Sequence, residues 1–444
     1  MEYETSTTNG RSSVSDVTDA FARHLEGWGA FALLGVLLLL TLVVLAHNGI
    51  FGIAETFSDE HDHFKRSIMF AAIAHGNLSL EAIGTFYAGG IWPPLYPIVM
   101  GSIQAATNSS VGFLRVVNVL FAYAGCTLLI AAISQRGGRY AGVAIVCLFS
   151  AGTHYYYQIR PENLVLLLLG VIVFLVVKRE LFSAAMRSTQ RRAYAACGTL
   201  VALACLTHAF LAIFGIYLIV LALLAIRQRF WFIVAFATVA GPYVVAQALI
   251  HNGAVLFATT AEENLARNNN AFLRDHERPE ADDLLFEEME RRYKAGDKVI
   301  YPRPLVLPQA RYQQWLHDEN KRRIFKQMAF DEVRANPAEA GVRALRRLTS
   351  LVEGEGCVAG YRYGCNIGPR VDRLAYYCLE LLALIGLFVA AKSELSRMTA
   401  FSFALACLAM LTPMIATQAV ERQFVIVLIL ASFGGLVRLR PLRM

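Results

Sequence analysis

The sequence predicts an all-α polytopic membrane protein of about ten transmembrane helices, with external juxtamembrane helices and a partly helical external segment between spans seven and eight. Three observations lead there. Apolar residues make up 56% of the chain and charged ones 17%, with a mean hydropathy of +0.46, which excludes an ordinary soluble protein. Several apolar runs reach the roughly 20 residues that cross about 30 Å of hydrocarbon. The Lys and Arg residues behind the formal charge of +7 gather in short connections between those runs, a pattern that topology explains better than a nucleic-acid ligand does.

Residues 1–28 are polar, rich in Ser and Thr and without a small-residue cleavage site before Trp28, so they read as a disordered cytoplasmic tail. The spans fall at 29–50, 112–134, 139–157, 163–178, 193–208, 209–226, 230–251, 372–391, 398–417 and 422–437. The run 93–107, opening Pro93-Pro94-Leu95-Tyr96-Pro97, is too short to cross and reads as an interfacial helix. With the N-terminus in the cytoplasm, every short basic connection then lies inside: Arg136 and Arg139, the 178–192 stretch, Arg227-Gln228-Arg229, 392–397 and the tail from Arg438 to Arg443. The domain organisation is a tail (1–28), a transmembrane catalytic module (29–251) with a first external loop (51–111), an external soluble segment (252–371) and C-terminal transmembrane helices (372–444).

The external segment is long for a loop and is expected to carry helices of its own. Tyr301-Pro302-Arg303-Pro304 and Pro308 break it. Asn336-Pro337 is a start signal for an amphipathic stretch whose Arg343, Arg346 and Arg347 recur at helical spacing; such a helix either lies on a membrane surface or presents a solvated face. Of the eight cysteines, six sit in apolar runs as small core residues, whereas Cys357 and Cys365 share a polar segment and can pair. No solenoid or propeller repeat and no inverted duplication of the spans is visible.

This topology collects four polar groups on the outer side. Asp59-Glu60-His61-Asp62-His63 follows the first span, and ionisable residues there invite a functional reading. Asp59 or Glu60 would suit a general base that takes a proton from an acceptor hydroxyl, with Asp59 favoured and Asp62 in reserve. Asp59, His61 and His63 also have a spacing compatible with a divalent cation, against which stands simple local hydrogen bonding; no second ligand pair such as CxxC or HExxH occurs. Arg160-Pro161-Glu162 follows Tyr155, Tyr156 and Tyr157, and is either a phosphate-holding Arg with an orienting acid or an aromatic belt with an Arg–Glu pair at helix ends. Glu421-Arg422 opens the last span, where an Arg must meet an anion or reach water. The glycine-rich stretch around Tyr361, Arg362, Tyr363 and Arg370 is either a segment that closes over substrate or an irregular linker. His208, in the turn Thr207-His208-Ala209, reads as a core or interfacial histidine rather than a ligand.

In order and side, these pieces resemble the GT-C superfamily of integral membrane glycosyltransferases, of the protein O-mannosyltransferase and lipid A aminoarabinose transferase type. The matching residues are Asp59-Glu60, Trp92-Pro93-Pro94-Leu95-Tyr96-Pro97, Arg115-Val116-Val117-Asn118, Arg160-Pro161-Glu162, Asn336-Pro337 and Glu421-Arg422-Gln423-Phe424. The resemblance implies an inverting transfer of a sugar from a polyprenyl-phosphate donor to an acceptor hydroxyl on a glycan, lipid or protein. It implies no required cofactor and a multi-pass plasma-membrane location of bacterial inner-membrane type, with the site facing the periplasm or outside. It assigns Asp59 as base, Glu162 as a second acid near the reacting groups, and Arg160 and Arg422 to the donor phosphate; Glu60 stands beside them as a further catalytic candidate, and Glu421, Arg362 and Arg370 as further candidates for the phosphate. Where some relatives carry a Lys before the Pro-Pro pair, this chain has Trp92. Two other classes compete: a transporter or flippase for a lipid-linked saccharide, and a non-catalytic assembly subunit. The scarcity of charges within the spans, away from their ends, counts against the transporter.

Overall fold

The computed structural model describes residues 28–52, 59–134, 159–219, 230–251 and 261–353, with short breaks inside these stretches. The tail, the expected spans at 139–157, 372–391, 398–417 and 422–437 and most of 209–226 lie outside the described residues, as do Arg362, Arg370, Glu421, Arg422, Cys357 and Cys365. Among the described residues every regular element is helical.

The first half of the chain forms α1 (Trp28–His47), a 3₁₀ turn (Ile50–Gly52), α2 (Asp59–Ala74), α3 (Leu95–Thr107), α4 (Val111–Ser134), α5 (Glu162–Arg179), α6 (Arg191–Thr207) and α7 (Phe230–Ile250). Leu- and Ala-rich sequence favours the helix, and an all-round apolar surface calls for burial or lipid. Two of these helices are long and apolar enough to cross a membrane, over Val111–Ala132 and Phe230–Ile250; Leu34–His47 and Glu162–Val176 are shorter apolar stretches. Pro242 sits inside α7, where it removes one backbone donor. The α3 helix starts after Pro94 and stops at Asn108, which adopts left-handed φ 48° and bonds its N–H to Gln104 O at 2.8 Å. Its 13 residues amount to about 20 Å, less than the thickness of the hydrocarbon.

Small residues set the helix crossings. A Cβ on Gly125 of α4 would lie 2.6 Å from the Leu166 backbone of α5, and one on Gly170 would lie 2.6 Å from Gly125 O, so the two backbones touch. Gly198 meets the Phe232 carbonyl in the same way, joining α6 to α7, while Gly215 lies against both Cys205 and Phe236. These contacts advance together along the chain, so α6 and α7 run in the same direction. The core between the helices is Leu114, Ala122, Cys126 and Leu129 of α4, Val165 and Leu169 of α5, and Cys197 and Val201 of α6.

The second half forms α8 (Ala261–Asn268), a 3₁₀ turn (Ala271–Arg274), α9 (Arg278–Lys294), α10 (Gln309–Ala335) and α11 (Pro337–Glu353). Ala266, Leu285, Met289, Ile324, Phe325 and Ala329 build a separate core. Asn268, Asn269 and Asn270 donate their side-chain amides to the carbonyls of Asn264, Leu265 and Ala266, and Asn270 Oδ1 accepts from the Phe272 and Leu273 N–H groups. Pro337 occupies the first position of α11, where its missing N–H costs nothing.

Candidate active site at the helix ends

Arg115 lies one turn into the apolar helix α4 and is fully buried, so its charge must find an anion within the protein. Glu60, near the start of α2, supplies it: Arg115 Nε donates to Oε1 at 3.0 Å and Nη2 to Oε2 at 2.9 Å, a bidentate pair with both side chains out of solvent. The remaining nitrogen, Nη1, donates to Ile50 O at 2.8 Å, and the Ile159 N–H donates to Glu60 Oε1 at 2.9 Å. One ion pair thus joins the 3₁₀ turn after α1, the start of α2, the start of α4 and the turn that carries Arg160-Pro161-Glu162. Both Glu60 oxygens are engaged, which makes Glu60 a positioning group in this arrangement. Asp59 is the first residue of α2, about 100° around the helix from Glu60. Its side chain lies outside the described residues.

A second polar layer packs beside the pair. Tyr96, fully buried in α3, donates its hydroxyl to Asn118 Oδ1 at 2.9 Å, and Asn163 Nδ2 donates to Asn118 O at 3.1 Å. The buried His63 ring sits edge-on to Tyr96 at 5.3 Å, and Ser67 Oγ donates to His63 O at 2.8 Å. Burial pushes the Tyr96 phenol well up, Glu162 and Glu60 add to the rise and Arg160 opposes it.

Arg160 and Glu162 complete the group. Both are buried, and Glu162 opens α5, where a carboxylate is favoured by the exposed N–H groups and the helix dipole. His208, the residue that ends α6, brings Nε2 to 4.0 Å from Glu162 Oε1. Of the sequence-predicted residues, the structure therefore brings together Glu60, Arg160 and Glu162. From sequence, Arg115 and Asn118 stand only at the opening of a span, and His208 is a core or interfacial histidine. An arginine inside an apolar run was the one signal that a buried carboxylate lay near. His61 is exposed while His63 is buried, and residues two apart leave a helix on nearly opposite sides. Among the described residues no three His, Cys, Asp or Glu side chains are grouped to hold a metal.

Chemically, the ends of α1 and α6 and the starts of α2, α4 and α5 enclose acids, guanidinium groups, amides and a phenol. Such a set can hold a phosphate and orient a hydroxyl. No family model, curated protein or solved structure matches the chain.

Proposed function

We propose that the chain is a polytopic membrane glycosyltransferase of the GT-C kind, moving a sugar from a polyprenyl-phosphate donor to an acceptor hydroxyl at the outer face of the membrane. The reading includes about ten spans with the N-terminus inside. The observation that carries it is the buried constellation of Glu60–Arg115, Arg160 and Glu162 at converging helix ends. An apolar bundle has no packing reason to gather so many charged side chains at one place.

In this proposal the Asp59 carboxylate accepts the proton of the acceptor hydroxyl. The resulting oxygen attacks the anomeric carbon from the face opposite the phosphate, the carbon–phosphate-oxygen bond breaks, and its electron pair leaves with the lipid phosphate. The anomeric centre inverts. Arg160 and Arg422, with Arg362 and Arg370 on the glycine-rich stretch, offset the charge of the departing phosphate, while Glu162 and Glu421 orient hydroxyls or those guanidinium groups. Glu60, paired with Arg115, fixes the start of α2, the helix turn to which Asp59 belongs. The isoprenoid tail stays among the apolar helices. Transport of a lipid-linked saccharide would use the same outer groups for binding without bond cleavage.

The test is sugar transfer in membranes carrying the full chain and supplied with polyprenyl-phosphate sugars. Asp59→Asn is expected to slow transfer by roughly 10²–10⁴-fold with donor binding retained. Transfer at the wild-type rate by this variant would sink the base assignment. Donor uptake by the wild type without any glycosylated product would favour transport.

A further inference from the structure

The α11 helix is arranged inside out for a helix on a water-facing domain. Its arginines Arg343 and Arg347 turn toward the neighbouring helices: Arg343 is buried, with Nη2 at 3.0 Å from Glu332 Oε1 and Nη1 at 3.2 Å from Glu339 Oε1, and Arg347 Nη1 donates to Asn268 O at 3.0 Å. Two of its apolar side chains turn away: Val342 is 48% exposed and Leu345 63% exposed, one turn apart on the same stripe, flanked by the exposed Arg346. Turning Leu345 to water while a guanidinium is desolvated is the costlier of the two orientations.

The position of the helix says what covers this stripe. His251, directly after the 21-residue apolar helix α7, pairs with Glu319 of α10 at 2.5 Å, and Arg322 of α10 reaches the same Glu319 at 2.9 Å. Arg322 also reaches Glu262 of α8 at 3.3 Å, so α10 and α8 are held where α7 ends, which for a membrane-crossing α7 is the bilayer surface; α11 is tied to the end of α8 by Arg347 on Asn268 O and Arg343 on Asn270 O at 3.5 Å. We infer that α11 lies on that surface, with Val342 and Leu345 inserted among the acyl chains at the interface and Arg346 at the level of the head groups. The occupant of the stripe is the lipid of the membrane that α7 crosses, not a second protein. Burying two aliphatic side chains and a cation near phosphates is the usual arrangement for an interfacial helix. The inference rests on α7 crossing a bilayer and is independent of the transfer reaction.

Leu345→Trp, in the full chain reconstituted into phosphatidylcholine vesicles with brominated acyl chains, tests it by fluorescence. Of the four native tryptophans, Trp231 at the start of α7 reports on the span in a background where Trp28, Trp92 and Trp315 are replaced by Phe. The emission added by Leu345→Trp is expected to be blue-shifted and mostly lost in brominated vesicles, yet insensitive to aqueous acrylamide. Quenching of the added emission by acrylamide would overturn the inference, as would protection from both quenchers, which would mean that protein covers the stripe. Trp231 emission untouched by bromine in that background would overturn it through its premise, the crossing by α7. Should Leu345→Trp fail to fold, Val342→Trp on the same stripe gives the same readout.

Discussion

Glu60 and Arg115 decide the local architecture because each is buried and each satisfies the other. Removing one partner leaves a desolvated charge, whereas removing both leaves a packing problem. Arg115→Leu is expected to lower stability in detergent by about 3–5 kcal/mol, and the double variant Glu60→Leu/Arg115→Leu by less than the sum of its parts, read as thermal unfolding of the purified protein. A double variant as costly as the sum would mean that the two side chains do not act on each other. Tyr96→Phe removes one hydrogen bond to Asn118 and is expected to cost about 1 kcal/mol in the same measurement. At this scale the sequence was only partly legible. That Arg115 needed an anion could be read from its apolar surroundings, but which acid met it could not. Asp59, Glu60 and Asp62 are equivalent until the helix phase is fixed and the Ile159 N–H is brought within reach of one of them.

The elements themselves were easier to read, because a run of apolar residues long enough to cross a membrane has few alternatives to a helix. The described helices α1, α4, α5, α6 and α7 each fall on a predicted run, and the short α3 falls on the run judged too short to cross. The start of α11 coincides with Asn336-Pro337, as expected for a proline at the first helical position. What periodicity could not supply was the pairing of faces. Which helix each run packs against depends on glycines whose value lies in what they allow to approach. Gly125→Ala places a methyl group 2.6 Å from the backbone of Leu166 and can be relieved only by separating α4 from α5. An expected cost of about 1–3 kcal/mol follows. Gly241→Ala in α7, where nothing lies within 4 Å of the added Cβ, should by contrast leave the unfolding temperature unchanged or raise it. Equal effects from the two would show that the close crossing is not what holds α4 to α5. The sidedness of α11 was likewise beyond the sequence. Arg343, Arg346 and Arg347 read as one basic set, and it is Glu332 on the preceding helix, which takes Arg343, and the Asn268 carbonyl of α8, which takes Arg347, that separate the inward pair from the outward Arg346.

For the whole molecule, the shared direction of α6 and α7 points His208 and His251 toward the same end of the bundle, and the helices α8–α11 attach at His251 through Glu319. The seating of α11 on that unit turns on Glu332, whose oxygens take Arg274 Nη2 at 2.8 Å, Arg343 Nη2 at 3.0 Å and the Asn336 side-chain amide at 3.2 Å. Burial pushes this carboxyl up, but the hydrogen bonds from Arg274 and Arg343 outweigh it and hold the group below its ordinary value of 4.5. A carboxyl whose folded value is depressed contributes stability that is present in full above its unfolded value and is lost as pH falls through the folded one. Acidification below the ordinary carboxylate range should therefore loosen α11 from α10 before the core around Leu285 and Phe325 gives way. Hydrogen exchange across 337–353, corrected for the intrinsic rate, is the measurement, with α9 as the internal reference. Glu332→Gln keeps the shape but cannot accept two guanidinium groups as an anion, so it should exchange fast already at neutral pH and show no further step on acidification. A step that survives in Glu332→Gln would assign the acid response to another carboxyl, with Glu339, which also meets Arg343 and Arg274, the first to examine.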